Sequence, residues 1–337
     1  MPYPEADHIQ SLITAAQRIV IVQADNPDAD SLASSLALEH ILGDMGKEPI
    51  MYCGVHIPDY LSYLEGWDRV SSDFPAQFDL SIIVDTSADS LLGTVAADGL
   101  KQHLASRPCI ILDHHAVELS ITFATVVCNP PAVATGEVIY ELAQQLKWPL
   151  NPGARNMLVT SIMADSLGLT TEATSARSIH IIAELVEQGV VIPALEQLRR
   201  GMMRKSPELL AYKGQLLQRV AYDPSGRIAS VVIPWDEIER YSYQYNPSIL
   251  VMDDMRLVTG VQVVVAFKVY KDGKITAKIR CNYGSAIAGE LAKRFGGGGH
   301  SYASGFKITD GRTLEDVKAS CIAAAAELLD ALPTASQ

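Results

Sequence analysis

The stretch "RIVIVQADNPDADS", residues 18–31, decides how the rest of the chain is read. It opens as a β-branched apolar run and then places aspartates at 25, 28 and 30. "SLASSLALEHILGDMG" (31–46) follows, with Leu32, Leu36, Leu38 and Leu42 at helical spacing and Gly46 as a stop. The pattern is strand, acid-loaded turn, helix. The strand is uniformly apolar, not alternating, so both of its faces are expected to be covered, as in a parallel sheet.

The same form recurs. "EPIMYCG" (48–54), "FDLSIIVD" (78–85) and "RPCIILDHH" (107–115) read as strands. "TGEVIYELAQQL" (135–146), "ARNMLVTSIMADS" (154–166) and "ARSIHIIAELVEQG" (176–189) read as helices. Residues 1–192 are therefore expected to form an α/β domain with a doubly wound, mainly parallel sheet. A charged helical stretch broken at Gly201 and Pro207 reads as a connector over 193–220. Residues 221–333 have a different texture and predict a smaller mixed α+β domain. "RIASVVIP" (227–234) is a strand, and "GVQVVVAFKVYKDGKITAKIRC" (260–281) is two strands around Asp272-Gly273, a hairpin signal. "AIAGELAKRF" (286–295) is a helix halted by glycines, "YASGFKI" (302–308) a strand, and 313–332 a last helix.

The length of 337 residues agrees with two domains at ~150 residues each. Forty-eight percent apolar content with 20% charge is enough for sizeable cores. A formal net charge of −12 argues against a broad basic surface for long duplex DNA. It leaves room for a small anion held through cations. The five cysteines are odd in number and form no C-x-x-C pair, which argues against a disulfide framework or zinc ribbon. "MPYPEADHIQ" does not read as a signal peptide, and no apolar run approaches the ~20 residues of a membrane helix, so a cytoplasmic location without membrane partners is expected.

Ligands of doubly wound sheets collect at the carboxyl ends of the strands. Here those ends carry Asp28 and Asp30, then Asp85, then Asp113, His114 and His115, and Asp165 closes the run "SIMADSLG". Each has a structural reading of its own. Asp30 reads equally well as a helix N-cap, Asp85 and Asp113 as loop acids, and the paired histidines as surface residues. Together they are costly: two unit charges ~4 Å apart repel by roughly 4 kcal/mol at an effective dielectric near 20. Protons or a cation must relieve that repulsion. Carboxylates with imidazole suit manganese, and oxygen-rich sites also admit magnesium, as one or two ions. Asp28 and Asp30, two apart in an extended segment, would point the same way toward adjacent metals.

"NPDADS" (26–31), "VDTS" (84–87), "DHH" (113–115) and "MADSLG" (163–168) resemble, in order, the four motifs of the DHH phosphoesterase superfamily. "RFGGGGHSYASGF" (294–306) resembles the glycine-rich signature of the DHH-associated C-terminal domain. The nearest branch resembles the bifunctional oligoribonuclease (nano-RNase)/pAp phosphatases, with RecJ-like exonucleases more distant. The resemblance implies that Asp28 and Asp85 hold one metal. It implies that Asp30, Asp85, His114 and Asp165 hold the other, that His115 meets the phosphate, and that Asp113 orients the histidines. It implies hydrolysis of short single-stranded oligonucleotides, or of 3′-phosphoadenosine 5′-phosphate (pAp), by metal-activated hydroxide.

One position departs from the family. Its first motif usually reads His-x-Asn-Pro-Asp, and Ala24 stands where that histidine is expected. Alanine cannot ligate, so the first metal loses a protein ligand. Gln23, Asp25 or water would have to compensate.

Gly297, Gly298, Gly299 and His300 lie in the glycine run. They read either as a helix stop or as bare backbone close to an anion. Together with Arg280 they are candidate substrate contacts, and Tyr283 and Tyr302 are candidates for stacking on a base or for packing. Two competing functions fit the same first half: a pyrophosphatase or exopolyphosphatase-like hydrolase, and a catalytically weakened nucleotide-binding regulator. A homodimer is compatible with the sequence, which carries no mark that demands one.

Overall fold

The structure, a computed structural model, describes residues 2–116 and 118–332. The chain divides into two units, 1–204 and 205–337. Unit 1 runs α1 (Ala6–Ala15), β1 (Arg18–Val22), α2 (Ala29–Asp44), β2 (Glu48–Tyr52), β3 (Leu80–Val84), α3 (Gly93–Ala97) and α4 (Leu100–Ala105). It continues with β4 (Cys109–Leu112), β5 (Val126–Cys128), α5 (Thr135–Leu146), α6 (Pro152–Asp165), α7 (Ala176–Glu187) and α8 (Ile192–Met202). Unit 2 runs α9 (Pro207–Gln218), β6 (Ala221–Tyr222), β7 (Ile228–Ile233), α10 (Trp235–Tyr241), α11 (Pro247–Arg256), β8 (Val263–Val269) and β9 (Ile275–Cys281). It ends with α12 (Ala288–Lys293), β10 (Gly298–Gly299), β11 (Ala303–Ile308) and α13 (Leu314–Asp330).

The first sheet is wholly parallel, in the order β2-β1-β3-β4-β5. Apolar residues cover both faces, as the unbroken apolar runs require. Ile19, Ile21, Ile82, Val84 and Leu112 pack with α1, α2, α5 and α6, while Val20, Val22, Ile83 and Ile111 pack with α3 and α4. The strand order reverses between β1 and β3, and the crevice beyond such a switch point is where open α/β sheets place their ligands. Strand β5 was not read from the sequence. It has three residues and lies at the sheet edge, too short to show a pattern.

The stretch expected as a connector is two helices. Leu195 of α8 packs against the core of unit 1, whereas Leu209, Tyr212 and Leu216 of α9 are buried in a core of unit 2. The second sheet is mixed, in the order β10-β11-β9-β8-β7-β6, with the expected hairpin between β8 and β9 turning at Gly273, φ +80°. One of its faces packs on α12 and α13. On the other, α9, α10 and α11 cover β7 and β8. Helices α10 and α11 went unread because charges and prolines interrupt their apolar spacing.

All five cysteines are buried and unpaired. No single helix among the described residues is long and apolar enough to cross a membrane.

Candidate metal centre

Four segments bring their acids and histidines together beyond β1, β3 and β4. Helix α2 begins at Ala29, so Asp28 is its N-cap and Asp30 lies within its first turn. This corrects the expectation of an extended segment with parallel side chains. Asp28 accepts from the Ser31 N–H at 3.0 Å, and the Ser31 hydroxyl accepts from the Asp28 N–H at 2.9 Å. That capping box satisfies two orphan donors of the helix. It leaves Asp28 exposed, with one oxygen engaged.

Asp30 is instead buried against α5 and α6. Its carboxylate accepts from the Thr135 N–H at 2.8 Å and from the hydroxyls of Ser34 and Ser161. Ser161 reaches it because α5 and α6 touch at Gly136, where a Cβ would lie 2.1 Å from the Ser161 oxygen. Asp85 closes β3 at φ +61°, a left-handed conformation that aspartate tolerates better than most residues and that often marks function. Its side chain accepts from the Thr135 hydroxyl at 3.0 Å. Thr135 thus holds both carboxylates.

His114 is the hub. Its Nε2 lies 3.2 Å from Asp165, 3.5 Å from Asp85 and 3.6 Å from Asp30, yet makes no directional hydrogen bond with any of them. Its Nδ1 faces the Ala132 carbonyl at 3.2 Å. His115 has its Nδ1 on Asp113 at 2.8 Å, and half of its side chain remains exposed. Asp113 also accepts from the backbone N–H groups of both histidines. Asp113 therefore orients the His115 ring, while the His114 ring is oriented by Ala132.

Two sets of donor atoms lie close enough to share one ion: Asp30, His114 and Asp165, and Asp85, His114 and His115. Asp28 belongs to neither. Asp25, the candidate substitute for a missing histidine, is committed elsewhere: its carboxylate accepts from the N–H of Thr94 at 2.8 Å and from the Thr94 hydroxyl. Gln23 is fully buried beside Ala24, and both of its amide atoms lack a partner among the described residues.

The electrostatics register the crowding. Burial, then repulsion from Asp165, raises the Asp30 carboxyl, and burial with repulsion from Asp30 raises Asp85 well above its ordinary range. Burial opposes the His114 imidazolium, but Asp165, Asp85 and Asp30 together push it up to about 11. Burial also works against the Asp113 carboxylate, and the hydrogen bonds it accepts from His115 outweigh that, holding Asp113 low. A buried imidazole nitrogen facing three carboxylates, with its other nitrogen fixed by a carbonyl, is a donor set that fits a divalent cation. Residues 18–169, which hold every one of these groups, match the DHH family, N-terminal domain, and residues 244–330 match the DHHA1 domain.

This is a DHH family protein with a DHHA1 domain. The bifunctional oligoribonuclease and PAP phosphatase NrnA of Bacillus subtilis is 24% identical over 316 residues, spanning 92% of this chain and 96% of that one. An exopolyphosphatase-related protein from Bacteroides fragilis superposes with a TM-score of 0.83 at 21% identity, over 97% of both chains. RecJ of Thermus thermophilus in complex with Mn2+ superposes with a TM-score of 0.52 at 14% identity, over 99% of this chain and 56% of that one. The two structures share the fold of this DHH–DHHA1 chain.

In the DHHA1 domain the glycine run is a small hairpin. Gly298 pairs with Gly305 and Gly299 with Ser304. A Cβ on Gly297 would sit 2.2 Å from the Gly305 carbonyl, and one on Gly299 would sit 2.7 Å from that of Ala303. Those two glycines admit the neighbouring strand. Only Gly298 of the three faces open space, the property expected of backbone free to meet a ligand. His300 is exposed at the hairpin turn, and Arg280 lies opposite Ala303 on β9. Thr135 and the Ala132 carbonyl were not found from the sequence. Their role depends on where α5 lands, and "PAVATG" carries no mark of it.

Proposed function

We propose that this protein is a metal-dependent phosphoesterase acting on short oligonucleotides and on nucleotides such as pAp. The observation that carries the reading is His114 Nε2, buried and without a directional hydrogen bond before Asp30, Asp85 and Asp165. Those four residues would hold manganese, with magnesium admitted by the oxygen-rich set. A second ion, reached by Asp28 and Asp85, would bind more weakly because Ala24 offers it nothing. A divalent cation bound there supplies Lewis-acid stabilisation of a phosphoryl group and a nucleophile at neutral pH.

The chain's own residues do the rest. His115, tied through Nδ1 to Asp113, presents Nε2 to a phosphoryl oxygen and can donate a proton there. Thr135 keeps Asp30 and Asp85 from rotating away. In the DHHA1 domain, Arg280, His300 and the open backbone at Gly298 are proposed to contact substrate, while Gly297 and Gly299 shape the hairpin that presents them. The Bacillus subtilis relative, matched over nearly its whole length, bears a name in keeping with this substrate class.

The test is turnover with Mn2+ of an RNA dinucleotide, pAp, pyrophosphate and polyphosphate, with Asp85→Asn as control. Asparagine suits the left-handed backbone at 85, so the variant should remain folded. Hydrolysis of the dinucleotide or pAp that drops at least about 10³-fold in the variant supports the reading. Turnover confined to pyrophosphate or polyphosphate would replace the substrate class, and pAp binding without turnover would make the protein a regulator.

A further inference from the structure

The loop between β1 and α2 is held at both ends by the protein itself. At its far end stands the reciprocal cap of Asp28 and Ser31. At its near end, residues 23–25 are pinned from both neighbouring strands, since β1 lies between β2 and β3. On the β2 side, the Tyr52 carbonyl accepts the Gln23 N–H at 3.0 Å, and the Cys53 thiol donates to the Ala24 carbonyl at 3.5 Å. On the β3 side, the Leu91 carbonyl accepts the Asp25 N–H at 2.8 Å. Thr94 then gives both its N–H and its hydroxyl to the Asp25 carboxylate. Only Asn26 and Pro27 separate the two anchors.

The Asp25–Thr94 contact is the strongest of these pins, because hydrogen bonds to an ionised acceptor are roughly twice as strong as neutral ones. Thr94 is a fixed point: Leu92 and Val95, close on either side of it, are buried in the core on one face of the sheet. Two glycines make room for the pair. A Cβ on Gly54 would collide with the Thr94 side chain and come within 3.2 Å of the Asp25 carboxylate, and one on Gly93 would come within 3.3 Å of it. Neither glycine has a left-handed backbone, so space is what each of them supplies. Asp85 closes β3, and the chain that leaves it leads to Thr94. The contact therefore ties the loop bearing Asp28 and Asp30 to the segment bearing Asp85.

We propose that Asp25 and Thr94 are positioning residues of the metal centre, whose bond sets these mutually repelling acids against one another before any cation arrives. Position 24 carries no imidazole to draw the loop onto an ion, and the tie at position 25 holds it from outside the ligand set. The site is thus preformed, and its ligands lose little freedom when an ion binds. This rests on the reading of Asp30, Asp85, His114 and Asp165 as the ligands of that ion.

The experiment compares the whole chain with its Thr94→Val and Thr94→Ser variants by hydrogen–deuterium exchange and by calorimetric titration with Mn2+. Valine keeps the shape and the N–H of Thr94 and removes the hydroxyl; serine keeps both donors. In EDTA, exchange over 24–31 is expected to be about tenfold faster in Thr94→Val than in wild type, with β4 and α5 unchanged, and Mn2+ is expected to slow it again. Mn2+ affinity is expected to fall about tenfold, as for other groups that hold metal ligands in place. Thr94→Ser should match wild type in both measurements. Asp25→Ala, which deletes the carboxylate, should act at least as strongly, and Thr94→Val decides the matter should that chain not fold. Exchange that quickens equally in β4 and α5 would make the tie a general brace of the fold and overturn the proposal. So would a wild-type loop that is protected only once Mn2+ is added, or an unchanged Mn2+ affinity in Thr94→Val. A wild-type chain that binds no Mn2+ would overturn the metal-centre reading and the positioning role with it. That failure is told apart from failure of the tie by the exchange in EDTA, which involves no ion.

Discussion

The Nδ1 of His114 lies 3.2 Å from the carbonyl oxygen of Ala132. A carbonyl only accepts, so this contact puts a proton on Nδ1 and aims Nε2 at the carboxylates of Asp30, Asp85 and Asp165. Without a metal, Nε2 must carry a proton too, because three acids surround it. A cation would take that proton's place.

The pH dependence follows from the direction of these shifts. His114 is raised from its ordinary 6.5 to about 11 in the folded chain. The stability its partners confer is therefore complete below about 6.5 and is lost as pH climbs toward 11. Asp30 and Asp85 are also raised, so they likewise favour the folded chain only while protonated. The metal-free protein is expected to melt at a lower temperature at pH 9 than at pH 6.5. Binding Mn2+ is expected to release protons, tighten with pH and reverse the trend in melting temperature. Calorimetry in buffers of different ionisation heat measures the release. Zero proton release at pH 7.5 would mean that the ion binds away from His114.

Thr135 donates its N–H to Asp30 and its hydroxyl to Asp85. Thr135→Val keeps the shape and the first bond and removes the second. A lost hydrogen bond to a buried charged group costs roughly 1.5–3 kcal/mol, and outer-sphere partners of metal ligands are typically worth 10–100-fold in affinity. The Mn2+ concentration for half-maximal hydrolysis is expected to rise about tenfold, with kcat at saturating Mn2+ much less affected. An unchanged Mn2+ titration would remove Thr135 from the support of the centre.

Much of this was legible in advance. Apolar runs ending in Asp85 and Asp113 announced parallel strands with acids at their carboxyl ends, and β3 and β4 deliver them there. What failed was local geometry. Asp28 and Asp30 were read as an extended pair because the sequence does not say on which residue the helix begins. Ser31, serving Asp28 in a reciprocal cap, settles it. Contacts over long separations were invisible. Thr135 meets Asp30 across 105 residues, and Thr94 meets Asp25 across 69. The glycine run was half legible: its crowding at Gly297 comes from its own neighbouring strand.

That crowding separates two substitutions one residue apart. A Cβ at 297 would collide with the Gly305 carbonyl and with Phe306, whereas at 298 it would meet nothing. Gly297→Ala is expected to destabilise the protein by about 1–3 kcal/mol through overpacking, read as a lower denaturant midpoint. Gly298→Ala should stay within about 0.5 kcal/mol of wild type, as exposed substitutions usually do. If substrate approaches the backbone at 298, its KM should rise nonetheless. Wild-type KM in Gly298→Ala would assign the run to hairpin packing alone.

Position 24 tests how many ions the centre holds. Ala24 is buried, its carbonyl accepts from the Cys53 thiol, and Asp25 cannot substitute for a ligand because Thr94 occupies its carboxylate. The wild-type chain is therefore expected to retain one Mn2+ per chain after gel filtration, held by Asp30, Asp85, His114 and Asp165. Ala24→His would supply an imidazole at the position where the family's first motif usually carries its histidine, and a second ion should then survive the same column. Elemental analysis gives both stoichiometries, and the melting temperature with and without Mn2+ shows whether the larger side chain is accommodated. A folded Ala24→His still retaining a single ion would show that the histidine was not what the second position lacked. Two ions retained by the wild type would show that Asp28, Asp85 and water suffice, and would place the weakness attributed to Ala24 outside metal binding.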